Sequence, residues 1–141
     1  MERDALMLDG TFDPLALVVD WLDSCRTRSL ENLLELYDTR GSLSCACAGP
    51  YIYQGREDIA RYWSPRLEKA VPHAFSLTEL TPAHSSDRPC VLLDHVGYDG
   101  KPVRVRFLFT KTGKIAQTVC TPVIPAPKAE HSRNACMDRA N

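Results

Sequence analysis

Apolar positions recur along the chain with two different periods, and the change from one to the other divides it. Leu15, Val18, Val19, Leu22 and Cys25 repeat at helical spacing. Asp13 offers a side-chain acceptor to the first unpaired N–H groups, and Pro14 lacks the donor that would be orphaned there. A helix from Pro14 to about Arg26 is therefore predicted. Ser29 caps a second helix with an apolar face of Leu30, Leu33, Leu34 and Tyr37, and Gly41 follows its end. Residues 42–48 then alternate, with Leu43, Cys45 and Cys47 on one face. Gly49-Pro50 marks a turn, and residues 51–53 read as a short return strand. Gly55 opens a third helix. Glu57 and Asp58 suit its positive end, and Ile59, Tyr62, Trp63, Leu67 and Ala70 form its apolar face. Pro65 is expected to kink or break that helix, because its ring removes a donor and crowds the preceding turn.

The second half has the period of a sheet. A strand is predicted over residues 75–80, followed by a polar loop at residues 84–87 and a further strand over residues 90–98. Asp99-Gly100 is a tight-turn pair. Val103, Val105, Phe107 and Phe109 then alternate with Arg104, Arg106, Leu108 and Thr110, the clearest two-faced strand in the chain. Thr112-Gly113 leads into a last strand over residues 114–121. After that, Pro122, Pro125 and Pro127 precede a polar run, which reads as an extended, disordered tail over residues 122–141. Residues 1–13 form an N-terminal extension, and one domain spans residues 14–121.

Composition narrows the partners. With 17 basic and 18 acidic residues the net charge is -1, so no global charge draws the chain to nucleic acid or an anionic membrane. Arg104 and Arg106 are too few for a nucleic-acid surface. No run approaches the roughly 20 apolar residues that span a bilayer. No signal peptide is visible in the first ten residues, so the expected compartment is the cytoplasm and the six cysteines are expected as thiols. Cys45 and Cys47 lie two apart on one strand face, about 6.6 Å between Cα atoms, near the upper limit for a bridge. Cys45, Cys47, Cys90 and Cys120 lack the short loop spacing of structural zinc sites, so no metal is expected.

The succession of two helices, a short hairpin, a third helix and long antiparallel strands resembles the nuclear transport factor 2-like, SnoaL-like superfamily. Local matches are residues 33–37, the strand 42–48, Tyr53-Gln54-Gly55-Arg56-Glu57, Tyr62-Trp63-Ser64-Pro65-Arg66-Leu67, and Gly113-Lys114-Ile115. The resemblance covers residues 14–121. It implies an α+β fold of the cystatin-like type, in which a cone-shaped, curved antiparallel sheet packs on the three N-terminal-half helices and encloses an apolar pocket. It also implies a homodimer through the outer sheet face, where Leu108 and Thr110 lie beside Arg104 and Arg106.

Known activities of such folds do not transfer directly. The ketosteroid isomerases use an Asp base with a Tyr and a protonated Asp at the oxyanion. Their Tyr position falls on Trp21, the base on Cys45 and the second Asp near Val105, and all three departures run against that proton transfer. Trp21, Cys45, Tyr62, Trp63, Val105 and Phe107 are the expected pocket residues. Asp94, His95, Cys45 and His73 are the candidates for catalysis. Asp94 and His95 are adjacent in one strand, so only one of them can face the pocket. Cys45 has no electropositive neighbour in sequence to activate it and reads as a buried, inert thiol. The leading expectation is a pocket that binds a small, largely apolar molecule without a cofactor. The alternatives are an isomerase, cyclase or hydratase acting on a cyclic or polyketide-like substrate, and a dimeric interaction module.

Overall fold

The computed structural model describes residues 12–46, 49, 51–85 and 88–123. Helix α1 spans Pro14–Arg26 and α2 spans Leu30–Leu36, followed by strands β1 (Tyr37–Cys45) and β2 (Ile52–Gln54). Helix α3 (Gly55–Glu68) precedes strands β3 (Leu77–Ser85), β4 (Arg88–Val96), β5 (Pro102–Phe109) and β6 (Ile115–Pro122). The six strands form one sheet in the order β2-β1-β6-β5-β4-β3. Every neighbouring pair is antiparallel except β1 and β6, which run parallel. The expected tail and N-terminal extension lie largely outside the described residues, as does Cys47.

The caps form where the sequence places them. Asp13 Oδ1 accepts from the N–H groups of Leu15 at 3.1 Å and Ala16 at 3.3 Å. Ser29 Oγ accepts from Asn32 N–H at 3.2 Å. Helix α1 ends in a Schellman motif: Ser29 N–H donates to Ser24 C=O and Arg28 N–H to Cys25 C=O. The left-handed residue of that motif is Arg28, with φ of 57° where glycine is usual. Its guanidinium explains the choice. Nε donates to Leu67 C=O at 3.2 Å and Nη2 to Ala70 C=O at 3.1 Å, so the end of α1 caps the end of α3.

Three elements depart from the sequence-based expectation. Tyr37 begins β1 instead of closing the second helix, and its side chain is fully buried. Gly41 lies within β1, at the register shift between Tyr37 and Ser42, and does not end a helix. A Cβ there would stand 3.1 Å from both Asp38 O of β1 and Ile115 O of β6, tighter than ordinary contact, so glycine suits the close approach of β6. Pro65 neither breaks nor ends α3, which continues to Glu68. It sits in the last turns, where Arg66 Nη1 donates to Tyr62 C=O at 2.7 Å and adds a tie across the turn. Strand β3 also starts two residues later than predicted and runs into the polar loop.

The core lies between the concave sheet face and the helices. Val18, Trp21, Leu22 and Cys25 of α1 meet Ile59, Tyr62, Trp63 and Leu67 of α3 over the inner residues of β4, β5 and β6. Val19, expected on the buried face of α1, is 43% exposed, while Trp21 takes the inward position. Cys90 and Leu92 point the other way and pack with Ala83 and Leu108 on the outer face. Cys90 is disulfide-bonded, which corrects the expectation that every cysteine is a thiol. No helix among the described residues is long and apolar enough to cross a membrane.

Candidate functional site

Strand parity selects which side chains reach the cavity. On β4 and β5 the inward residues are Val91, Leu93 and His95, and Val103, Val105 and Phe107. Cross-strand pairing arranges their neighbours in rows. Cys45 of β1 pairs with Cys120 of β6, Cys120 with Val105 of β5, and Val105 with Leu93 of β4. One step along, Pro122, Val103 and His95 form the next row. Over these rows α1 supplies Trp21, and α3 supplies Tyr62, Trp63 and Arg66 at one-turn spacing. A cavity of about 380 Å³ lies between them, within the range typical of small-molecule sites. The β4–β5 turn closes one side with Tyr98, Asp99 and Lys101.

Aromatic rings set the shape of the wall. Trp21 meets Trp63 edge-on at 5.6 Å, His95 at 5.7 Å and Phe107 at 5.1 Å. Phe75 stacks on His95 at 6.0 Å and leans on Trp63 at 6.1 Å. Phe75 itself is held at φ of 65°, an outlier for a bulky side chain. Its N–H donates to Val96 C=O at 2.7 Å, and its C=O accepts from Arg26 Nε at 3.0 Å. These two bonds fix the strained residue against the cavity.

A buried hydrogen-bond chain runs behind the wall. Trp21 Nε1 donates to Tyr37 Oη at 3.3 Å, and Tyr37 Oη lies 2.9 Å from Thr118 Oγ1. The Trp63 indole also approaches Tyr37 Oη, but its Nε1–H makes no hydrogen bond of normal geometry among the described residues. The Trp21 indole is a donor only, so Tyr37 Oη accepts from it, and either hydroxyl can donate in the Tyr37–Thr118 pair. Thr118 is also one of the residues that line the cavity. Burial raises the Tyr37 hydroxyl to about 12, so it stays protonated. Tyr62, in hydrogen-bond contact with the Cys45 thiol, is likewise pushed up by burial.

His95 is the ionisable group deepest in the wall, with 3% of its surface exposed. Its Nδ1 lies 2.8 Å from Val96 C=O, so the proton sits on Nδ1. Nε2 is then an acceptor, and it is buried without a partner among the described residues. Desolvation lowers the pKa of this ring, although the bond to Val96 and the nearby Asp94 oppose the shift. The imidazole is neutral near pH 7.

The other candidates fall elsewhere. Asp94 faces the opposite side of β4, where Arg104, its cross-strand partner, donates from Nε at 2.7 Å and Nη2 at 3.0 Å. That bond is the main reason the Arg104 pKa is raised. His73 is exposed in the turn that follows α3. Trp21, Cys45, Tyr62, Trp63 and Val105 come together around the cavity, and Phe107 stands one layer behind, against Trp21. Among the described residues no group of three His, Cys, Asp or Glu side chains converges as a metal site.

Arg66, Phe75, Thr118 and Lys101 belong to the wall and were not expected from the sequence. Arg66 had a signal: it lies three and four residues after Trp63 and Tyr62, on the same helix face.

No protein-family model matches the chain, and no curated protein matches it in sequence. Solved structures do. A SnoaL-like protein of unknown function from Burkholderia thailandensis superposes with a TM-score of 0.65 at 18% identity, over 76% of this chain and 92% of that one. An NTF2-like protein with a cystatin-like fold from Novosphingobium aromaticivorans gives 0.57 at 16% identity, covering 83% and 84%. The epoxide hydrolase/cyclase-like enzyme SalBIII, of pyran ring formation in the polyether salinomycin, gives 0.54 at 14% identity, covering 79% and 91%. These likenesses establish the fold: the chain has the nuclear transport factor 2-like, cystatin-like architecture that its pattern of elements resembles.

Proposed function

We propose that this chain binds a compact, largely apolar molecule in the cavity between its concave sheet face and helices α1 and α3. The observation that carries this reading is about 380 Å³ of space walled by Trp21, Tyr62, Trp63 and Phe75, beside a few buried polar atoms. Such a wall rewards the transfer of a flat hydrocarbon frame from water. The Thr118 hydroxyl offers a polar partner to a carbonyl or hydroxyl on that frame, and His95 Nε2 offers an acceptor to a hydroxyl. The test is calorimetric titration with 2-tetralone, a compact bicyclic ketone, against the wild type and Val105→Phe. The expected result is saturable binding by the wild type and a loss of at least about tenfold in the variant, which fills the cavity. Wild-type heats identical to buffer across a series of bicyclic ketones, alcohols and hydrocarbons would overturn the reading.

A second reading rests on His95 alone. A neutral imidazole with a fixed tautomer and an unpartnered Nε2 has the form of a general base. On this reading the chain is an isomerase, cyclase or hydratase of a cyclic substrate, and His95→Gln abolishes turnover while retaining binding. Retained turnover in His95→Gln would remove it. The cytoplasm is the proposed compartment. Pairing of two copies through the outer sheet face is compatible with either reading. It predicts a dimer mass in light scattering at micromolar concentration, and a monomer mass contradicts it.

A further inference from the structure

Three charged side chains contribute to the cavity wall, Arg66, Asp99 and Lys101, and they differ in how they are engaged. The Asp99 carboxylate is engaged in its own turn, where Oδ1 accepts from Lys101 N–H at 3.1 Å. Neither the Arg66 guanidinium nor the Lys101 ammonium forms an ion pair with a carboxylate among the described residues. Arg66 is also positioned. Its guanidinium lies over the Tyr62 ring at 3.8 Å from the centroid and 5.5 Å from that of Tyr98. One donor, Nη1, is used on Tyr62 C=O at 2.7 Å, which leaves Nε and Nη2 without a protein acceptor among the described residues. An arginine packed over Tyr62 and tied to that residue's carbonyl loses little further freedom on binding, and its planar fork matches a carboxylate.

We infer that the ligand of this cavity is an amphipathic monocarboxylate, whose apolar frame lies among Trp21, Trp63 and Phe75 while its carboxylate is held by Arg66, with Lys101 as the second cation. The inference rests on the binding reading above and deepens it. A carboxylate in a purely apolar site would be expelled by its desolvation cost, so the placement of cations on the wall decides where the anionic end lies. The side of the cavity formed by the β4–β5 turn is that place, and the aromatic wall receives the other end.

Matched probes separate this inference from the reading beneath it. The acids 2-naphthoic and cyclohexylacetic acid and their primary amides are compared by calorimetry on the full chain at low ionic strength. The acids should bind at least about tenfold more tightly than the amides. Arg66→Gln should bring the acid and amide affinities together, and Arg66→Lys should restore part of the preference. The amide is the internal control for a folded cavity in each variant. The wild-type preference should also shrink in about 0.5 M salt, as an accessible ion pair does. Equal or tighter binding of the amides by wild type overturns the inference and leaves the binding reading standing. A preference for acids that survives Arg66→Gln combined with Lys101→Gln also overturns it. Binding of none of the four probes overturns both.

Discussion

At the scale of single residues, the cavity depends on polar atoms fixed from behind. Tyr37 is the clearest case, since its hydroxyl receives Trp21 Nε1–H and shares a second hydrogen bond with the Thr118 hydroxyl. Tyr37→Phe removes the shared partner of two buried groups and should cost about 1–3 kcal/mol in urea denaturation. His95 predicts a pH dependence. Burial lowers its pKa below the ordinary 6.5, so the unfolded chain binds the proton more readily than the folded one. Its contribution to stability is therefore complete above 6.5 and falls as the pH drops from there toward the folded value. Unfolding free energies at about pH 7.5 and about pH 5.5 should differ less in His95→Gln than in wild type. An equal pH slope in both proteins would place the sensitivity elsewhere. Asp94→Asn loses the bidentate bond to Arg104 on the outer face and should leave ligand affinity unchanged, because Asp94 is no part of the wall.

At the scale of elements, the sequence pattern located most helices and strands because caps and turns act locally. Asp13, Ser29 and the Asp99-Gly100 pair each do their work within four residues. The misread boundaries share a different cause, since long-range packing decides them. Leu33 and Tyr37 fit a helical stripe, yet Tyr37 is drawn into β1 by Thr118, which is 81 positions away. Gly41 resembles a helix terminator until β6 is seen to pass it. Gly41→Val should destabilise the fold by about 1–3 kcal/mol, since the new side chain meets two backbone carbonyls. Little effect on the denaturation midpoint would mean that the β1–β6 contact relaxes easily. Strand parity left Asp94 and His95 open as alternatives. Arg104, opposite Asp94, resolves them, and that pairing appears only with the register of β4 on β5.

At the scale of the whole molecule, the fold was legible because its order of elements is distinctive, and five of the six expected pocket residues do meet. The charged part of the wall was not. Arg66 and Lys101 are 35 positions apart and read singly as solvated charges, so only the closure of the β4–β5 turn on the cavity brings them to one site. For uptake of a small molecule by this cavity, the chain carries its own reporters. Its two tryptophans, Trp21 and Trp63, both line the cavity and give two indole N–H resonances. Trp21 Nε1–H is engaged with Tyr37, whereas Trp63 Nε1–H makes no hydrogen bond of normal geometry among the described residues. The most direct measurement is a nitrogen–proton correlation spectrum of those two signals during titration with 2-tetralone. Both signals should move and saturate together, Trp63 further than Trp21, and Val105→Phe should suppress the movement. Two signals that stay in place up to the solubility limit of the ketone would contradict uptake.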